Sequence, residues 1–197
     1  RSGHEVSVEH GAGLGCGFQD QSYVEAGACI VTVDRAWASD LVVKVKEPLP
    51  SEYPLLRSQI LFTFLHLSGV DPNLTTALLK GKTTALGYET LEAKDGTLPI
   101  LAPMSAIAGN MAALMGAYYL GRTHGGKGIQ LGRVLERSYG KVLVIGDGIV
   151  GQHAALSAAG LGASVVMLGL DPGKAESLKN EIGDQFRFFL SSPEAIN

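Results

Sequence analysis

One stretch decides the fold: residues 141–151, KVLVIGDGIVG, where an apolar run meets three spaced glycines. The spacing is G-x-G-x-x-G, which alone is weak evidence because glycines occur in many turns. Here the run before the glycines predicts a strand, and the Ala-rich segment after them predicts a helix. That context favours the βαβ unit that binds dinucleotides, with a parallel sheet and a crossover helix.

Each glycine of this loop has a distinct physical role in the predicted site. Gly146 permits the sharp turn from strand to helix, Gly148 lets a pyrophosphate approach the backbone, and Gly151 lets helix and strand pack closely. The N-terminus of the helix offers unpaired N–H groups and the positive end of its dipole to phosphates. The structural alternative is a plain strand-to-helix turn that uses glycines and binds nothing.

The same fingerprint predicts an acidic residue about 20 residues further on, which binds the ribose hydroxyls at the end of the second strand. Residues 164–168 form that predicted strand, but the usual acidic position holds Gly169, and Asp171 follows two residues later. Asp171 either reaches the ribose or caps the helix that begins near Pro172. No Arg or Lys ends the strand to hold a 2′-phosphate, the nearest base being Lys174, so NAD is favoured over NADP.

Composition excludes several classes of function. Of 197 residues, 46% are hydrophobic and 18% are charged, which is typical of a packed core and not of a disordered chain. The net charge of −3 and the lack of Lys/Arg runs argue against nucleic-acid and membrane partners, and no apolar run could span a bilayer. Two cysteines, with no metal-ligand spacing among Cys and His, predict no disulfide scaffold and no metal site. We expect a cytoplasmic protein.

The whole chain alternates short β-rich runs with helical patterns, which predicts βαβ units and parallel sheets. The predicted strands are residues 5–9, 29–33, 41–46, 60–64, 83–86, 142–146, 164–168 and 186–190. The predicted helices are residues 19–26, 51–57, 73–80, 102–122, 150–160 and 173–181. We therefore predict an α/β fold with two lobes. The first covers residues 1–101, and the second covers residues 102–197 and begins with a long linking helix.

A second candidate site lies in the first lobe, where charged side chains end two apolar strands. Lys44 and Lys46 flank Val45, and His66 ends the apolar run of residues 60–65. Open α/β sheets bind ligands at the carboxyl edge of their strands. We expect Lys46 to neutralise a substrate carboxylate and His66 to transfer protons near neutral pH. The structural alternatives are a surface lysine with a buried stem and a half-buried histidine without a catalytic role.

Four stretches of the chain resemble the family of alanine dehydrogenases and pyridine-nucleotide transhydrogenase α-subunits. They are GHEVSVEHGAGLGCGFQDQSYVEAGA from residue 3, DLVVKVKEPLPSEYPLLRSQILFTFLHLS from residue 40, LGYETLEAKDGTLPILAPMS from residue 86 and GKVLVIGDGIVGQHAALSAAGLGA from residue 140. Together they cover most of the chain. The segments KVKEP and FTFLHL point to the alanine dehydrogenase branch.

The resemblance implies an enzyme that interconverts L-alanine with pyruvate and ammonium, using NAD as its cofactor. It implies a flavodoxin-like or Rossmann-like substrate lobe and a Rossmann dinucleotide-binding lobe, joined by a long helix. Members of the family usually assemble as hexamers, so a homo-oligomer is expected.

The resemblance also assigns roles to individual residues. Lys46 matches the lysine that holds the substrate carboxylate, and His66 matches the histidine that bonds the substrate oxygen and moves protons. Met104 matches the segment near the substrate, and Ser105 matches its neighbour near the cofactor. The cofactor loop corresponds to Gly146, Gly148 and Gly151.

The chain departs from the family pattern at several points. Family members usually read MSE where this chain has Ala106 after Met104-Ser105, and residues 131–137, LGRVLER, replace a GGVPGV-like segment. The family's substrate-binding Arg belongs before residue 1 and an Asp of the cleft belongs after residue 197, so we expect a segment of a larger protein. Two other functions stay open: a transhydrogenase α-subunit, and a nucleotide-binding regulatory domain without catalysis.

Overall fold

The computed structural model describes residues 3–69 and 71–192 of the chain. These residues form two compact units, which divide between Leu98 and Pro99. The predicted boundary after residue 101 falls in the first turn of the long helix, which belongs to the second unit. No helix in the described ranges has the length and apolarity that crossing a membrane requires.

The first unit contains two small parallel sheets. One pairs β1 (Ser7–Glu9) with β2 (Cys29–Val31), with helix α1 (Asp20–Glu25) between them and α2 (Val33–Trp37) after them. The other has the strand order β3 (Leu41–Val43), β4 (Ile60–Thr63), β5 (Thr84–Gly87), and helix α3 (Pro72–Gly81) connects β4 to β5. Short 3-10 helices lie at Leu14–Cys16, Pro50–Leu55 and Tyr88–Thr90.

The core of the first unit lies between its three-stranded sheet and the flanking helices. Leu61 of the central strand and Leu74 of α3 are fully buried, and Trp37, the single tryptophan, is 3% exposed. Helix α3 begins where it does because the Asp71 carboxylate accepts a hydrogen bond from the backbone N–H of Asn73, 2.9 Å away, and proline suits the first helical position. This packing holds the carboxyl ends of β3, β4 and β5 side by side.

The second unit begins with the long helix α4 (Leu101–Leu120) and a two-stranded antiparallel hairpin, β6 (Arg133–Val134) and β7 (Arg137–Ser138). A 3-10 helix at Arg122–His124 lies between them. A parallel sheet follows with the order β10 (Phe186–Leu190), β9 (Ser164–Gly169), β8 (Lys141–Ile145). Helix α5 (Ile149–Gly160) connects β8 to β9, and α6 (Pro172–Ile182) with a 3-10 turn at Gly183–Gln185 connects β9 to β10.

Helices α4 and α5 pack against each other at Gly109. A Cβ atom at this position would lie 2.3 Å from the carbonyl oxygen of Val150 and 2.7 Å from the Cβ of His153. One turn away along the same contact, the Ser157 hydroxyl donates a hydrogen bond of 2.8 Å to the side-chain oxygen of Asn110. The absence of a side chain at residue 109 therefore brings the start of α4 close to the loop that precedes α5.

The structure confirms the α/β fold with parallel sheets, and every predicted strand is present, but several bounds need correction. The strand predicted over residues 41–46 ends at Val43, and the one over 29–33 ends at Val31, because Thr32 already turns the chain into α2. The helix predicted over 51–57 is a 3-10 helix, and the stretch 121–132, whose glycines and basic residues predict a loop, contains another. Helix α2 and the β6–β7 hairpin were not predicted, and residues 193–197, whose sequence predicts the start of a helix, lie outside the described residues.

Two glycine-to-alanine changes in α4 should have opposite effects on stability. Gly109→Ala forces a Cβ into the Val150 carbonyl, so we expect it to destabilise the protein by about 1–3 kcal/mol, despite the higher helix propensity of alanine. Gly116→Ala is the matched control, because a Cβ there meets no atom within 4 Å, and it should be neutral or stabilising by up to about 1 kcal/mol. Urea unfolding followed by circular dichroism measures both, and equal stabilisation would contradict the packing described.

Candidate functional site

The glycine loop between β8 and α5 has the geometry that the sequence predicts. Gly146 has a φ of 106°, in the left-handed region that favours glycine, and its N–H donates a hydrogen bond of 2.8 Å to the carbonyl of Leu168 on β9. Gly148 is the N-cap of α5 and supplies no capping side chain. The first-turn N–H groups of a 12-residue helix therefore lack a side-chain acceptor and are available to an anion.

Two glycines of the loop differ in what they contribute. A Cβ at Gly151 would lie 2.0 Å from the carbonyl oxygen of Gly146 and 3.3 Å from the Val144 side chain, so residue 151 must be glycine for α5 to begin here. A Cβ at Gly148 would meet no atom within 4 Å. Gly151 thus serves the packing of the loop, whereas Gly148 borders open space that a ligand could fill.

A surface groove of about 360 Å³ lies over this loop. Ser105, in the second turn of α4, shares the groove with Gly148 and Gly151, so the structure brings these predicted cofactor residues together. Met104 is 44% exposed and is not among the residues that line the groove. The open space at Gly148 and the uncapped helix N-terminus fit a phosphate group of a dinucleotide.

Asp171 has its carboxylate engaged at the start of α6. Its Oδ1 accepts hydrogen bonds from the backbone N–H groups of Gly173 at 2.9 Å and Lys174 at 3.4 Å, and the Lys174 ammonium lies 3.8 Å from its Oδ2. Of the two interpretations that the sequence leaves open, this geometry supports the helix cap. The structure records no contact that would direct Asp171 towards the groove.

Asp147, inside the glycine loop, is a residue that the sequence analysis did not single out. It is 9% exposed, and its Oδ2 accepts hydrogen bonds from Asp171 N–H at 2.7 Å and from Leu170 N–H at 2.8 Å. The Asp171 N–H is the largest influence on the pKa of Asp147; burial opposes it, but the Leu170 N–H and the charge of Lys174 also act to keep the pKa below its usual range. The signal available in the sequence was an acidic residue inside the G-x-G turn.

Because side chains alternate along a strand, the strand predicted over residues 41–46 would place Lys44 and Lys46 on one face, but the two lysines have different surroundings. The Lys44 ammonium pairs with Glu52 and lies 5.3 Å from the centre of the Trp37 ring, so its charge is already engaged. Lys46 follows the end of β3 and is exposed, and its ammonium has no hydrogen-bond or ion-pair partner among the described residues. The strand alternation used in the prediction does not apply, because the strand ends before both lysines.

His66 follows β4 by three residues and has an unusual backbone. Its φ of 46° lies in the left-handed region, which few residues other than glycine adopt. The ring stacks on Phe64 with 5.6 Å between ring centres, and its side chain is 47% exposed. The hydroxyl of Thr63 donates a hydrogen bond of 2.8 Å to the carbonyl of Lys46, so the residues after β3 and β4 lie at the same sheet edge.

Glu89, which follows β5, holds the His66 segment in place and was missed by the sequence analysis. Its Oε1 accepts hydrogen bonds from the N–H groups of His66 at 2.6 Å and Leu65 at 2.8 Å, and lies 3.5 Å from the His66 Nδ1. Burial alone would raise the pKa of Glu89, but these N–H groups, its own N–H and the His66 ring outweigh it and lower the pKa. Its position after a third parallel strand was the signal available in the sequence.

The described residues contain no group of three or more His, Cys, Asp or Glu side chains that could hold a metal ion. Cys16 and Cys29 are both free and exposed. The chemistry that the geometry offers is therefore a cation and an imidazole at one sheet edge of the first unit, and an anion-binding helix terminus in the second.

Comparisons with known proteins match both parts of the chain. The family model described as "Alanine dehydrogenase/PNT, N-terminal domain" matches residues 1–108, and the one described as "Alanine dehydrogenase/PNT, C-terminal domain" matches residues 112–197. An alanine dehydrogenase of Staphylococcus epidermidis is 47% identical over 193 residues, which are 97% of this chain and 52% of that protein. The chain thus spans about half the length of the curated relatives it matches.

Solved structures give the same picture. An L-alanine dehydrogenase superposes with a TM-score of 0.86 at 43% identity, covering 98% of this chain and 54% of that one. A transhydrogenase from Sinorhizobium meliloti superposes with a TM-score of 0.74 at 25% identity, covering 98% of this chain and 55% of that one.

Replacing Glu89 by glutamine should make the stability of the first unit less dependent on pH. Because the pKa of Glu89 is lower in the folded chain than in the unfolded chain, the ionised carboxylate stabilises the fold above the unfolded-state pKa. That contribution is lost as the pH falls through the folded-state pKa. Glu89→Gln should cost about 1 kcal/mol at neutral pH, and the difference from the parent protein should shrink between about pH 5 and pH 3.

Trp37 fluorescence during urea unfolding measures this difference, because the only tryptophan is buried in the core of the first unit. Glu92→Gln is the control, since that exposed carboxylate accepts no hydrogen bond from the described residues. It should change stability by less than about 0.5 kcal/mol at any pH tested. A Glu89→Gln penalty that is the same at both ends of the pH range would contradict the role described.

Proposed function

The chain belongs to the alanine dehydrogenase/PNT family, and we propose that the protein carrying it catalyses the NAD-dependent, reversible oxidative deamination of L-alanine to pyruvate and ammonium. The observation that carries the proposal is the sheet edge of the first unit, where an unpaired lysine and an oriented histidine follow neighbouring parallel strands. An amino acid needs such a pair: a cation for its carboxylate and a group that moves protons at its reacting carbon.

Lys46 is the proposed binding group for the substrate carboxylate. Its ammonium has no partner among the described residues, whereas Lys44 is neutralised by Glu52. An exposed lysine near a buried sheet edge offers a charge-assisted hydrogen bond to a carboxylate oxygen, one of the stronger polar contacts available to a small ligand.

His66 is the proposed general acid/base. The contact of its Nδ1 with Glu89 orients the ring and leaves Nε2 available to the substrate side. In the direction of deamination, Nε2 first accepts a proton from the water that attacks the substrate iminium, and the imidazolium passes that proton to the nitrogen. In a second step, Nε2 accepts the hydroxyl proton of the carbinolamine as ammonia leaves and the carbonyl of pyruvate forms. The stacking of the ring on Phe64 and the hydrogen bond from its own N–H to Glu89 hold the ring in one position for both steps.

The groove of the second unit is the proposed cofactor site. The N–H groups at the start of α5 would hold the pyrophosphate, Gly148 would let it approach the backbone, and Ser105 would line the same groove. NAD, when bound, supplies the acceptor for the hydride that leaves the substrate carbon. The proposed assembly is a cytoplasmic homo-oligomer, a hexamer by resemblance to the family, with no nucleic-acid or membrane partner.

A transhydrogenase α-subunit is the second candidate, favoured by the superposition on the transhydrogenase at 25% identity. Such a protein binds NAD(H) without an amino-acid site, so it has no use for an unpaired Lys46 beside His66. A nucleotide-binding regulatory domain is the third, suggested by Ala106 and Gly169. Reduction of NAD that depends on L-alanine separates the first function from the other two.

Gly148→Val should abolish NADH binding and leave the fold intact. The valine side chain would project into the open groove, where it occupies the space of the pyrophosphate but contacts no protein atom at its Cβ. The matched control is Gly160→Val at the other end of α5, where a Cβ also meets nothing within 4 Å. Fluorescence titration with NADH measures both, and undiminished affinity in Gly148→Val would exclude the loop as the phosphate site.

His66→Ala and Lys46→Ala should affect turnover in different ways. His66→Ala should lower kcat by roughly 100- to 10,000-fold, the loss typical of general acid/base catalysis, while NADH still binds. Lys46→Ala should lower kcat and also raise KM for L-alanine by roughly 10- to 100-fold, because a charged hydrogen bond is worth about 1.5–3 kcal/mol.

Lys44→Ala is the control for the lysine, because its ammonium is engaged by Glu52 and not by substrate. It should lower thermal stability and leave KM for L-alanine nearly unchanged. Steady-state assays of alanine-dependent NADH formation test all three variants. Wild-type kcat in a folded His66→Ala variant that binds NADH would refute the catalytic role of the histidine.

A further inference from the structure

The end of β9 cannot carry the acidic side chain that the dinucleotide fingerprint normally requires there. Gly169 is buried, and a Cβ atom on it would lie 2.6 Å from the Phe188 ring and 2.7 Å from both the Cβ and the Oδ2 of Asp147. The space in which a side chain of residue 169 would begin is therefore already filled by the Asp147 carboxylate.

The Asp147 carboxylate is held rigidly at that place. Its Oδ2 accepts hydrogen bonds from the two backbone N–H groups that follow Gly169, those of Leu170 and Asp171, and the Gln152 amide donates a hydrogen bond of 2.9 Å to the Asp147 carbonyl. The residue's own N–H also acts on the carboxylate, and no other described residue donates a hydrogen bond to its Oδ1. One carboxylate oxygen is thus anchored by two N–H groups at the end of β9, and the other has no such partner.

We propose that Asp147 is the residue that reads the adenosine ribose and selects NAD over NADP, taking the role that a carboxylate at position 169 would have. The inference rests on the proposed function, since it concerns the cofactor that the groove holds. The carboxylate reaches the end of β9 from the glycine loop of β8 instead of from β9 itself. The acidic residue inside the G-x-G turn and the glycine at the end of the second strand therefore belong together: the carboxylate is supplied at position 147 instead of at position 169.

The charge and hydrogen-bonding capacity of Asp147 suit this role. Its backbone donors favour the ionised carboxylate, which accepts hydrogen bonds from ribose hydroxyls and repels a 2′-phosphate. Lys174 is the nearby cation that could attract the 2′-phosphate of NADP. Its ammonium, however, already lies against the Asp171 carboxylate, whose Oδ1 caps α6. Asp171 and Lys174 are the other residues that could determine the preference between the two cofactors, so the experiment includes variants of both.

The test is a set of variants of the intact protein titrated with NADH and with NADPH by nucleotide fluorescence. Asp147→Asn keeps the shape of the side chain and an oxygen acceptor for the two N–H groups, but it removes the charge. It should weaken NADH binding by about tenfold or more, because a hydrogen bond to a charged group is worth about 1.5–3 kcal/mol. NADPH binding should be unchanged or tighter, so the ratio of the NADH affinity to the NADPH affinity should fall by about tenfold or more.

The exchange variants provide the sharper result. Gly169→Asp alone should bind poorly, since its side chain collides with Asp147 and opposes its charge. The triple variant Asp147→Gly, Gly169→Asp and Phe188→Leu should recover NADH binding and the preference over NADPH, because the carboxylate then comes from β9 and the ring atom 2.6 Å from the Cβ of residue 169 is removed. Asp171→Asn and Lys174→Ala should move the affinity ratio by less than about twofold, in line with surface charges that are screened by solvent.

The outcomes separate this inference from the proposed function. A parent protein that binds neither nucleotide would overturn both. A parent protein that binds NADH, with an Asp147→Asn variant that weakens NADH and NADPH equally, would show that Asp147 only braces the loop and would overturn the inference alone. A change of preference in Asp171→Asn or Lys174→Ala instead would assign the ribose to that residue and equally exclude Asp147.

Discussion

The second unit depends on the close approach of Gly151 to the carbonyl oxygen of Gly146. A Cβ at residue 151 would stand 2.0 Å from that oxygen, so no other residue lets α5 begin directly behind the loop. This start position points the N-terminus of α5 into the groove and presents a face of α5 on which Gly109 of α4 can pack. The absence of a Cβ at residue 151 therefore fixes where α5 begins, and with it the packing of α4 on α5 and the position of the candidate anion site.

Two carboxylates, one in each unit, make the same kind of contact: Asp147 is buried and Glu89 is partly buried. Glu89 accepts the N–H groups of two successive residues that follow β4, and Asp147 accepts those of two successive residues that follow β9. In each case an ionised side chain from a neighbouring element holds the chain at the carboxyl edge of a parallel sheet, where α/β folds bind their ligands. The pKa of each carboxyl lies below its usual range because these donors favour the ionised form.

The two carboxylates differ in what they support. Glu89 holds His66 in a left-handed backbone conformation and touches its ring, so it acts on the proposed reaction through another residue. The Oδ2 of Asp147 is engaged by two backbone N–H groups, and its carboxylate fills the place where a side chain of residue 169 would begin. A single structural device thus gives a positioning residue in one unit and, by our inference, a specificity residue in the other.

The sequence by itself determined the features that follow from local pattern. Apolar runs and glycine spacing located every predicted strand, the loop at residues 146–151 and the helix behind it, because strand, turn and helix propensities act over a few neighbouring residues. Lys46 and His66 were proposed as site residues for the same reason, since each lies at the end of a predicted strand. The short helix α2 and the hairpin at residues 133–138 were missed, because a five-residue helix is too short to show a helical period and a two-residue strand is too short to show alternation.

Only the tertiary structure decided how the carboxylates are used. The hydrogen bonds of Glu89 join residues 23 and 24 positions apart in the sequence, and so do those of Asp147. No local pattern encodes such pairs, because they form only when separate strands of a sheet bring their ends together. For the same reason the sequence left Asp171 with two interpretations, and the packing of Asp147 against Gly169 could be seen only once β8 and β9 lay side by side.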